Sequence, residues 1–235
     1  MADYSIMNIA QGTAFVNNLI MGDVRNLPVP DRQMPYHFPH STDILGICAI
    51  HGGDDRYYNN MFLGACSEKL RHPTNNNVPL AYTTIQEVCE KYFTPEEYAH
   101  FNSQEYFDSQ PRRPHTLNPK QAVWFGGNAY AGDAKPFRAE FDPIETEGMS
   151  ASVDKVGEEW ILTINVPGNV ANADCVSVTS DMLGTPVFSE ERYENPDGSD
   201  IDFTIDILGE KRKTVIPGPI ARLECGEQRI TVWKY

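Results

Sequence analysis

The sequence contains the stretch FVNNLIMG at residues 15–22 and a second version of it, YYNNMFLG, at residues 57–64. A looser third version, GGNAYAG, occupies residues 126–132. The second asparagines of the two full copies, Asn18 and Asn60, are 42 residues apart. Repetition at a fixed interval is typical of stacked architectures, in which each unit buries its apolar face against the next. These units lack a 3.6-residue period, so the pattern does not favour a helical solenoid.

A right-handed parallel β-helix fits the repeat better. Its rungs are short strands joined by turns, and an asparagine inside one coil can stack on the asparagine of the next, each amide bonding its neighbour. The interval of 42 residues would then be one rung carrying a long loop, or two rungs. The alternative is that the Asn-Asn pair recurs by chance in two unrelated hairpin turns.

Composition narrows the classes of partner and compartment. The 235 residues carry a net charge of −14, which disfavours binding to nucleic acid or to an anionic membrane surface. No apolar run approaches the ~20 residues of a membrane span, and the N-terminus lacks the features of a signal peptide. Five scattered cysteines argue against a disulfide framework or a zinc site and favour a reducing compartment. The sequence therefore predicts a cytoplasmic protein.

The first domain is predicted to span residues 1–136. Runs rich in branched and aromatic residues at 13–21, 43–50 and 56–63 indicate strands. The segment 22–42 between the first two runs contains four prolines and is predicted to be a long irregular loop. Loops of this length in compact domains are usually functional or disordered, and the aromatic and histidine content here argues against disorder.

Two short helices are predicted within this domain, at about residues 82–103. Thr84 with Glu87 and Thr94 with Glu97 have the spacing of capping boxes. The helices would form an insertion between the second and third copies of the repeat.

The second domain, residues 137–235, is predicted to be β-sandwich-like. Residues 150–156 and 159–166 indicate consecutive strands with a turn between them. Alternating apolar residues at 201–207 predict another strand, and 221–233 predicts a hairpin with Gly226 in its turn. The three tryptophans lie in strand-like runs, which favours core positions for all of them: Trp124, Trp160 and Trp233.

Several quoted stretches resemble a known family. QGTAFVNNLIMG (11–22), PDRQMPYHFPHST (30–42), GGDDRYYNNMFLG (52–64) and GGNAYAGDAKP (126–136) look like the later rungs of bacterial right-handed β-helix carbohydrate-active proteins. Among these, the stretches resemble the β-xylosidases of glycoside hydrolase family 120. The stretch from residue 178 to residue 223 is similar to the tail that closes those chains. The resemblance implies an all-β chain of parallel β-helix rungs with a xyloside-type oligosaccharide as ligand.

The chain departs from this family where the chemistry occurs. Retaining glycoside cleavage needs a nucleophilic carboxylate and a second carboxylate about 5–5.5 Å away as acid and base. The resemblance places that pair in rungs preceding the first one present here, and the equivalent turn of this first rung offers Asn8 and Gln11. Neither side chain can attack a sugar or transfer a proton. The catalytic residues are therefore not assigned.

The candidate sugar-binding residues combine donors, acceptors and an aromatic ring: Tyr36, His37, His40, Asp54, Asp55 and Arg56. Aspartate accepts two sugar hydroxyls, arginine and histidine donate, and tyrosine can stack on a pyranose face. The alternative is structural, with the two aspartates forming a turn and Arg56 pairing locally. A metal site built from the two histidines and an aspartate has weak support, so no metal or cofactor is predicted.

Three functions remain open. The first is part of a β-xylosidase-like glycoside hydrolase, whose catalytic rungs come from a companion chain or are missing. The open end of the β-helix would then be covered by that companion or by a homodimer. The second is a non-catalytic carbohydrate-binding or assembly module. The third is an independent enzyme using His40 with Asp54 or Asp55.

Overall fold

The computed structural model of the protein describes most of the chain outside one long internal stretch. The described residues are 4–26, 29–38, 40–50, 53–64, 123–137, 140–186, 189 and 191–235. The two helices predicted at about 82–103 lie outside them. Among the described residues, strands far outnumber helices, which confirms the all-β class.

The repeated segments, residues 14–20, 56–62 and 124–130, stack on one another and form two parallel sheets. The first sheet has the order β2 (Ala14–Val16), β7 (Arg56–Tyr58), β9 (Trp124–Gly126). In its register Phe15 pairs with Tyr57, and Tyr57 pairs with Phe125. The copies are therefore in register along the stack, and the alternative of two unrelated hairpin turns is wrong.

The second parallel sheet uses the other half of each segment. Its order is β3 (Leu19–Ile20), β8 (Met61–Phe62), β10 (Ala129–Tyr130), β11 (Ile144–Glu145). Each repeated segment thus gives one strand to each sheet, with a bend between the two strands.

That bend requires a left-handed backbone, which explains the first asparagine of each pair. Asn17 has φ 57° and Asn59 has φ 55°, and Gly127 takes the same place in the third segment with φ 64°. Asparagine and glycine are the residues that adopt this conformation most readily. A side chain at Gly127 would also collide with Asn59 Oδ1, so the third segment needs glycine there.

The second asparagine of each pair forms a ladder of amides, which we call the asparagine ladder. Asn18 Nδ2 donates to Asn60 Oδ1 at 3.0 Å, and Asn60 Nδ2 donates to Asn128 Oδ1 at 2.9 Å. Asn128 Nδ2 then donates to Glu140 Oε1 at 2.8 Å, so a carboxylate ends the series. Asn60 and Asn128 have no exposed surface, and the ladder satisfies polar groups that would otherwise be costly to bury.

Aromatic rings stack beside this ladder. The ring centroids of Phe15 and Tyr57 are 4.9 Å apart, and those of Tyr57 and Phe125 are 4.5 Å apart. Phe62 and Tyr130 stack in the same way at 5.1 Å. The register therefore brings similar side chains of successive segments into contact, and this contact is the physical reason for the repeat.

The proline-rich segment is not an irregular loop, and that prediction is wrong. It contains β4 (Asp23–Asn26), which pairs in parallel with β1 (Tyr4–Asn8), and β5 (Val29–His37), which pairs antiparallel with β6 (Ile44–Ile50). Within the described ranges each of these sheets has two strands, so each strand has one edge without a described neighbour, where proline can lie without removing a ladder hydrogen bond.

The C-terminal region contains one antiparallel sheet with the order β12 (Ser150–Val156), β13 (Glu159–Val166), β14 (Gly226–Lys234). The predicted β12–β13 hairpin is confirmed. The predicted hairpin at 221–233 is wrong, because β14 is a single strand that pairs with β13. Two one-turn helices, α1 (Gly168–Ala171) and α2 (Ser180–Leu183), follow β13.

The predicted strand at 201–207 is also wrong. Asp202 accepts hydrogen bonds from the Thr204 N–H and hydroxyl, and Asp206 accepts from the N–H groups of Leu208 and Glu210. Such local side-chain bonds stabilise turns and compete with strand pairing. Alternating hydrophobicity was outweighed by the aspartates placed between the apolar residues.

One hydrophobic cluster crosses the boundary predicted at residue 136. Met61 and Ala129 of the stacked segments pack in it with Leu162, Ile164 and Ile220 of the C-terminal region. The C-terminal region therefore supports the stack directly. No helix within the described ranges is long and apolar enough to cross a membrane.

Gly64 lies where the backbone of one segment closely approaches the backbone that follows the next segment, and its replacement tests this close approach. Its φ is 58°, and a Cβ there would collide with the backbone of Asp133 and Ala134. Gly64→Ala is expected to lower the free energy of unfolding by about 3 kcal/mol, because backbone cannot move aside cheaply. Gly157→Ala is the control, since Gly157 has φ 62° but an open surrounding. Equal losses in chemical denaturation of both variants would contradict the close approach.

Candidate functional site

Asp54, Asp55 and Arg56 lie where the chain enters β7, and the structure buries all three. Their exposed fractions are 1%, 0% and 4%. Asp54 has φ 57°, which turns the chain into the strand. The structure thus brings together half of the predicted sugar-binding residues, but inside the protein.

Arg56 is held by protein groups on several sides. Its Nη1 lies 2.6 Å from Asp54 Oδ1 and also donates to the Asp54 carbonyl. Its Nε donates to the Leu183 carbonyl at 2.9 Å. The guanidinium carbon lies 4.2 Å from the ring centroid of Trp124 and 5.4 Å from that of Tyr193. These bonds show local pairing of Arg56, the structural alternative to sugar binding.

Asp55 is a buried carboxyl group with two amide donors. Its Oδ1 accepts from the Thr13 N–H at 2.9 Å, and its Oδ2 accepts from Asn8 Nδ2 at 3.0 Å. Burial raises the pKa of Asp55 from 3.8 to about 7, and the two hydrogen bonds oppose that rise. The group is therefore partly protonated near neutral pH, but its burial keeps it from a sugar carbon.

The raised pKa of Asp55 makes stability depend on pH. The folded state binds the proton of Asp55 more tightly than the unfolded state does, so its contribution is present below about pH 4 and is lost as pH rises through about 7. The loss is about 4 kcal/mol at most. Asp55→Asn is expected to flatten this part of the curve when unfolding is followed by denaturant titration between pH 4.5 and 8.5. If the free energy of unfolding of the variant depends on pH as in the unmodified protein, Asp55 is not the group responsible.

The two histidines lie at the end of the β5–β6 hairpin and are exposed. The His37 Nδ1 is 2.9 Å from the Thr42 carbonyl. The His40 Nε2 is 2.9 Å from Glu194 Oε1, which joins the hairpin to the C-terminal region. Tyr36 pairs with Gly46 through its backbone, and its side chain lies outside what the structure describes.

Three further residues belong to this region and were not predicted for it: Trp124, Tyr193 and Glu194. Trp124 was predicted to be a core residue, but 39% of it is exposed while its ring covers Arg56. The Tyr193 hydroxyl donates to the Gly12 carbonyl at 2.6 Å. Trp124 and Tyr193 lie against Arg56, and Glu194, which follows Tyr193 in the chain, pairs with His40. We call these four residues, together with Arg56, the Arg56 site.

Only one of these residues left a usable signal in the sequence. Trp124 is in register with Arg56 in the first parallel sheet, so aligning the third repeated segment with the second would have placed them side by side. Tyr193 and Glu194 approach from a distant, irregular part of the chain. No periodicity marks them.

Comparison with known proteins agrees with this architecture. The structure superposes on XylC, solved in complex with xylose, with a TM-score of 0.75 and 29% sequence identity. The chain has a XylC-like fold. The match covers 99% of this chain and 34% of XylC, so the chain spans about a third of XylC's length. No family model matches the sequence, and no curated protein matches it.

The similarity to XylC supports a XylC-like fold of the all-β class. It leaves the specific resemblance to glycoside hydrolase family 120 as a prediction. Within the part of the chain that the structure describes, no group of three or more histidine, cysteine, aspartate or glutamate residues is arranged to hold a metal ion.

Proposed function

We propose that the chain is part of a β-xylosidase-like glycoside hydrolase and supplies the later coils of a right-handed parallel β-helix together with a sugar-binding surface. A sandwich-like C-terminal domain would support that surface. The observation that carries the proposal is the match of nearly the whole chain to XylC, a protein solved with xylose bound. The stacked parallel segments are what such a β-helix requires.

The Arg56 site has the chemistry for a neutral sugar. The Trp124 ring is partly exposed, and an aromatic face is a good surface for the apolar side of a pyranose. His40 and Glu194 are partly exposed and can donate to and accept from hydroxyls. Asp54 and Asp55, predicted as direct ligands, would act instead by holding Arg56 and the turn in place.

The chain is proposed to lack the catalytic pair. Asn8, at the turn equivalent to the family's catalytic region, uses its amide to donate to Asp55. Asp54 and Asp55 are both buried and bound by protein donors, so neither is open to a sugar. His40 pairs with Glu194, which gives the third hypothesis, a His40–aspartate enzyme, no support from the geometry. The catalytic coils would come from a companion chain or from upstream coils missing from this sequence.

The alternative function is a non-catalytic carbohydrate-binding or assembly module. The burial of both aspartates favours it as much as it favours an incomplete hydrolase. Hydrolysis of an aryl β-xyloside and calorimetric binding of xylotriose separate the two. Turnover by the chain alone would contradict the proposal that it lacks the catalytic carboxylate pair. Turnover only after a companion protein is added would favour the hydrolase. Binding without turnover in either case would favour the module.

Trp124→Ala is expected to weaken xylotriose binding about tenfold, the value of one stacking contact of about 1.4 kcal/mol. Trp233→Ala is a matched control, because Trp233 is 62% exposed on the C-terminal sheet, outside the Arg56 site. Calorimetry on both variants measures the difference, and thermal unfolding checks that Trp124→Ala remains folded. Equal affinities in the two variants would place the sugar elsewhere.

A further inference from the structure

The charged groups in and beside the Arg56 site carry an excess of negative charge. Arg56 supplies one positive charge, and the carboxyl groups of Asp54 and Asp55 precede it in the chain, with Asp54 paired to it directly. Glu194 adds a third carboxyl group through its contact with His40. Burial raises the pKa of Asp55 to about 7, so this group is mostly ionised at pH 8. At that pH the carboxylates outnumber the guanidinium.

Arg56 is not available to bind an anionic ligand. Its side chain is 4% exposed. Each of its three nitrogens already donates to the protein: Nη1 to Asp54, Nε to the Leu183 carbonyl and Nη2 to the Thr185 carbonyl. Its positive charge therefore serves the buried ion pair and is not presented to a sugar.

The neighbouring arginine is committed in a similar way. Arg192, which precedes Tyr193 in the chain, has its Nη2 2.9 Å from Asp181 Oδ1 and 2.7 Å from Asp200 Oδ1. Two carboxylates share this one guanidinium, so the group as a whole is negative. Among the residues that the structure describes, Arg192 thus brings no surplus positive charge to the edge of the site.

Glu194 is the carboxylate of this group that a ligand can reach. Its side chain is 22% exposed, whereas Asp54 and Asp55 are 1% and 0% exposed. Its Oε1 lies 2.9 Å from His40 Nε2. Histidine is mostly uncharged at pH 8, so at that pH the contact leaves the negative charge of Glu194 in place.

Glu194 is close enough to act on the charge of a bound sugar. Consecutive Cα atoms are about 3.8 Å apart and an extended glutamate side chain adds roughly 5 Å, so its carboxylate lies within roughly 9 Å of the Tyr193 Cα. The Tyr193 ring in turn lies 5.4 Å from the Arg56 guanidinium carbon. The Debye length is about 10 Å at 0.1 M salt and longer in dilute buffer, so like charges at such distances repel.

We propose that the Arg56 site selects uncharged sugars and excludes sugars that carry a carboxylate, with Glu194 as the specificity-determining residue. Unsubstituted xylo-oligosaccharides belong to the first class, and xylo-oligosaccharides branched with glucuronic acid belong to the second. The proposal rests on the proposed function, because it takes the Arg56 site as the sugar-binding surface.

The test compares three ligands by calorimetry at pH 8 in dilute buffer. They are xylotriose, xylotriose carrying one glucuronic acid branch, and the same branched sugar with its carboxyl group reduced to a hydroxymethyl group. The last two have almost the same size, so charge is the main difference between them. We expect the acid to bind about tenfold more weakly than its reduced form. Salt at about 0.5 M is expected to lower this ratio to about twofold, because it screens the exposed charge.

Glu194→Gln is expected to lower the same ratio to about threefold, since the buried aspartates keep their charge. Glu159→Gln is the control, because it removes an equal charge from the C-terminal sheet, where Glu159 pairs with Lys234. The control is expected to keep the tenfold ratio.

The outcomes separate this proposal from the proposed function. Binding of xylotriose with equal affinities for the acid and its reduced form would overturn the selection by charge and leave the proposed function standing. A ratio that is unchanged in Glu194→Gln, or that falls as far in Glu159→Gln, would overturn the role of Glu194. Failure of all three ligands to bind would contradict the proposed sugar site and this proposal together.

Discussion

Replacing Asn60 with leucine is expected to lower the free energy of unfolding by about 5 kcal/mol, enough to unfold many domains. Asn60 has no exposed surface, and its side chain accepts from Asn18 twice and donates to the Phe15 carbonyl and to Asn128 Oδ1. Leucine has a similar volume but leaves these buried partners without hydrogen bonds, at about 1–3 kcal/mol each. Urea denaturation measures the loss.

Asn18→Leu is the matched control for this prediction. Asn18 is only partly buried and has a neighbouring ladder member on one side alone. Its replacement is expected to cost about half as much as that of Asn60. Equal losses at the two positions would show that the interior of the ladder has no special role.

Arg56→Met is also expected to lower the free energy of unfolding by about 5 kcal/mol, because it removes one partner of a buried ion pair. The substitution keeps most of the volume but removes the guanidinium group that pairs with Asp54, which is only 1% exposed. It also leaves the Leu183 carbonyl without its donor. Denaturant unfolding at neutral pH measures the effect, and we expect sugar binding at the Arg56 site to be lost with it.

Arg192→Met is the control, because Arg192 pairs with Asp181 and Asp200 on the surface, with 38% of its side chain exposed. Exposed ion pairs contribute roughly 0–1 kcal/mol. A loss at Arg56 as small as the loss at Arg192 would contradict the view that a buried charge pair organises the site.

The repeat was the part of the fold that the sequence could predict. Matching asparagines at a fixed interval predicted stacked segments, and the pairing of Phe15 with Tyr57 and of Asn18 with Asn60 confirms this. The third segment was recognised even though glycine replaces its first asparagine, because both residues suit the left-handed bend. The hairpin between β12 and β13 followed from alternation and a local turn.

The failures have two physical causes. Proline was taken as a sign of irregular structure in 22–42, but two-stranded sheets offer edges where proline is tolerated. Around Asp202 and Asp206, side-chain bonds to nearby N–H groups produce turns where alternation predicted a strand. In both places a local feature decided the structure against the average pattern.

The candidate site was only half predictable. Asp54, Asp55 and Arg56 were found from one short motif, but Arg56 donates to the carbonyl of Leu183, more than a hundred residues later in the chain. Such contacts leave no trace in local spacing. The position of Trp124 could have been predicted from the repeat, because the register of the parallel strands places it beside Arg56.

The stacking of the repeated segments depends on the asparagine ladder. Its most direct test is nuclear magnetic resonance detection of scalar couplings across hydrogen bonds between the side-chain amides. We predict a coupling from the Asn60 side-chain nitrogen to the Asn128 side-chain carbonyl carbon, and one from Asn18 to Asn60. Side-chain amides of Asn60 and Asn128 that exchange freely with water and show no such coupling would contradict the stacked arrangement.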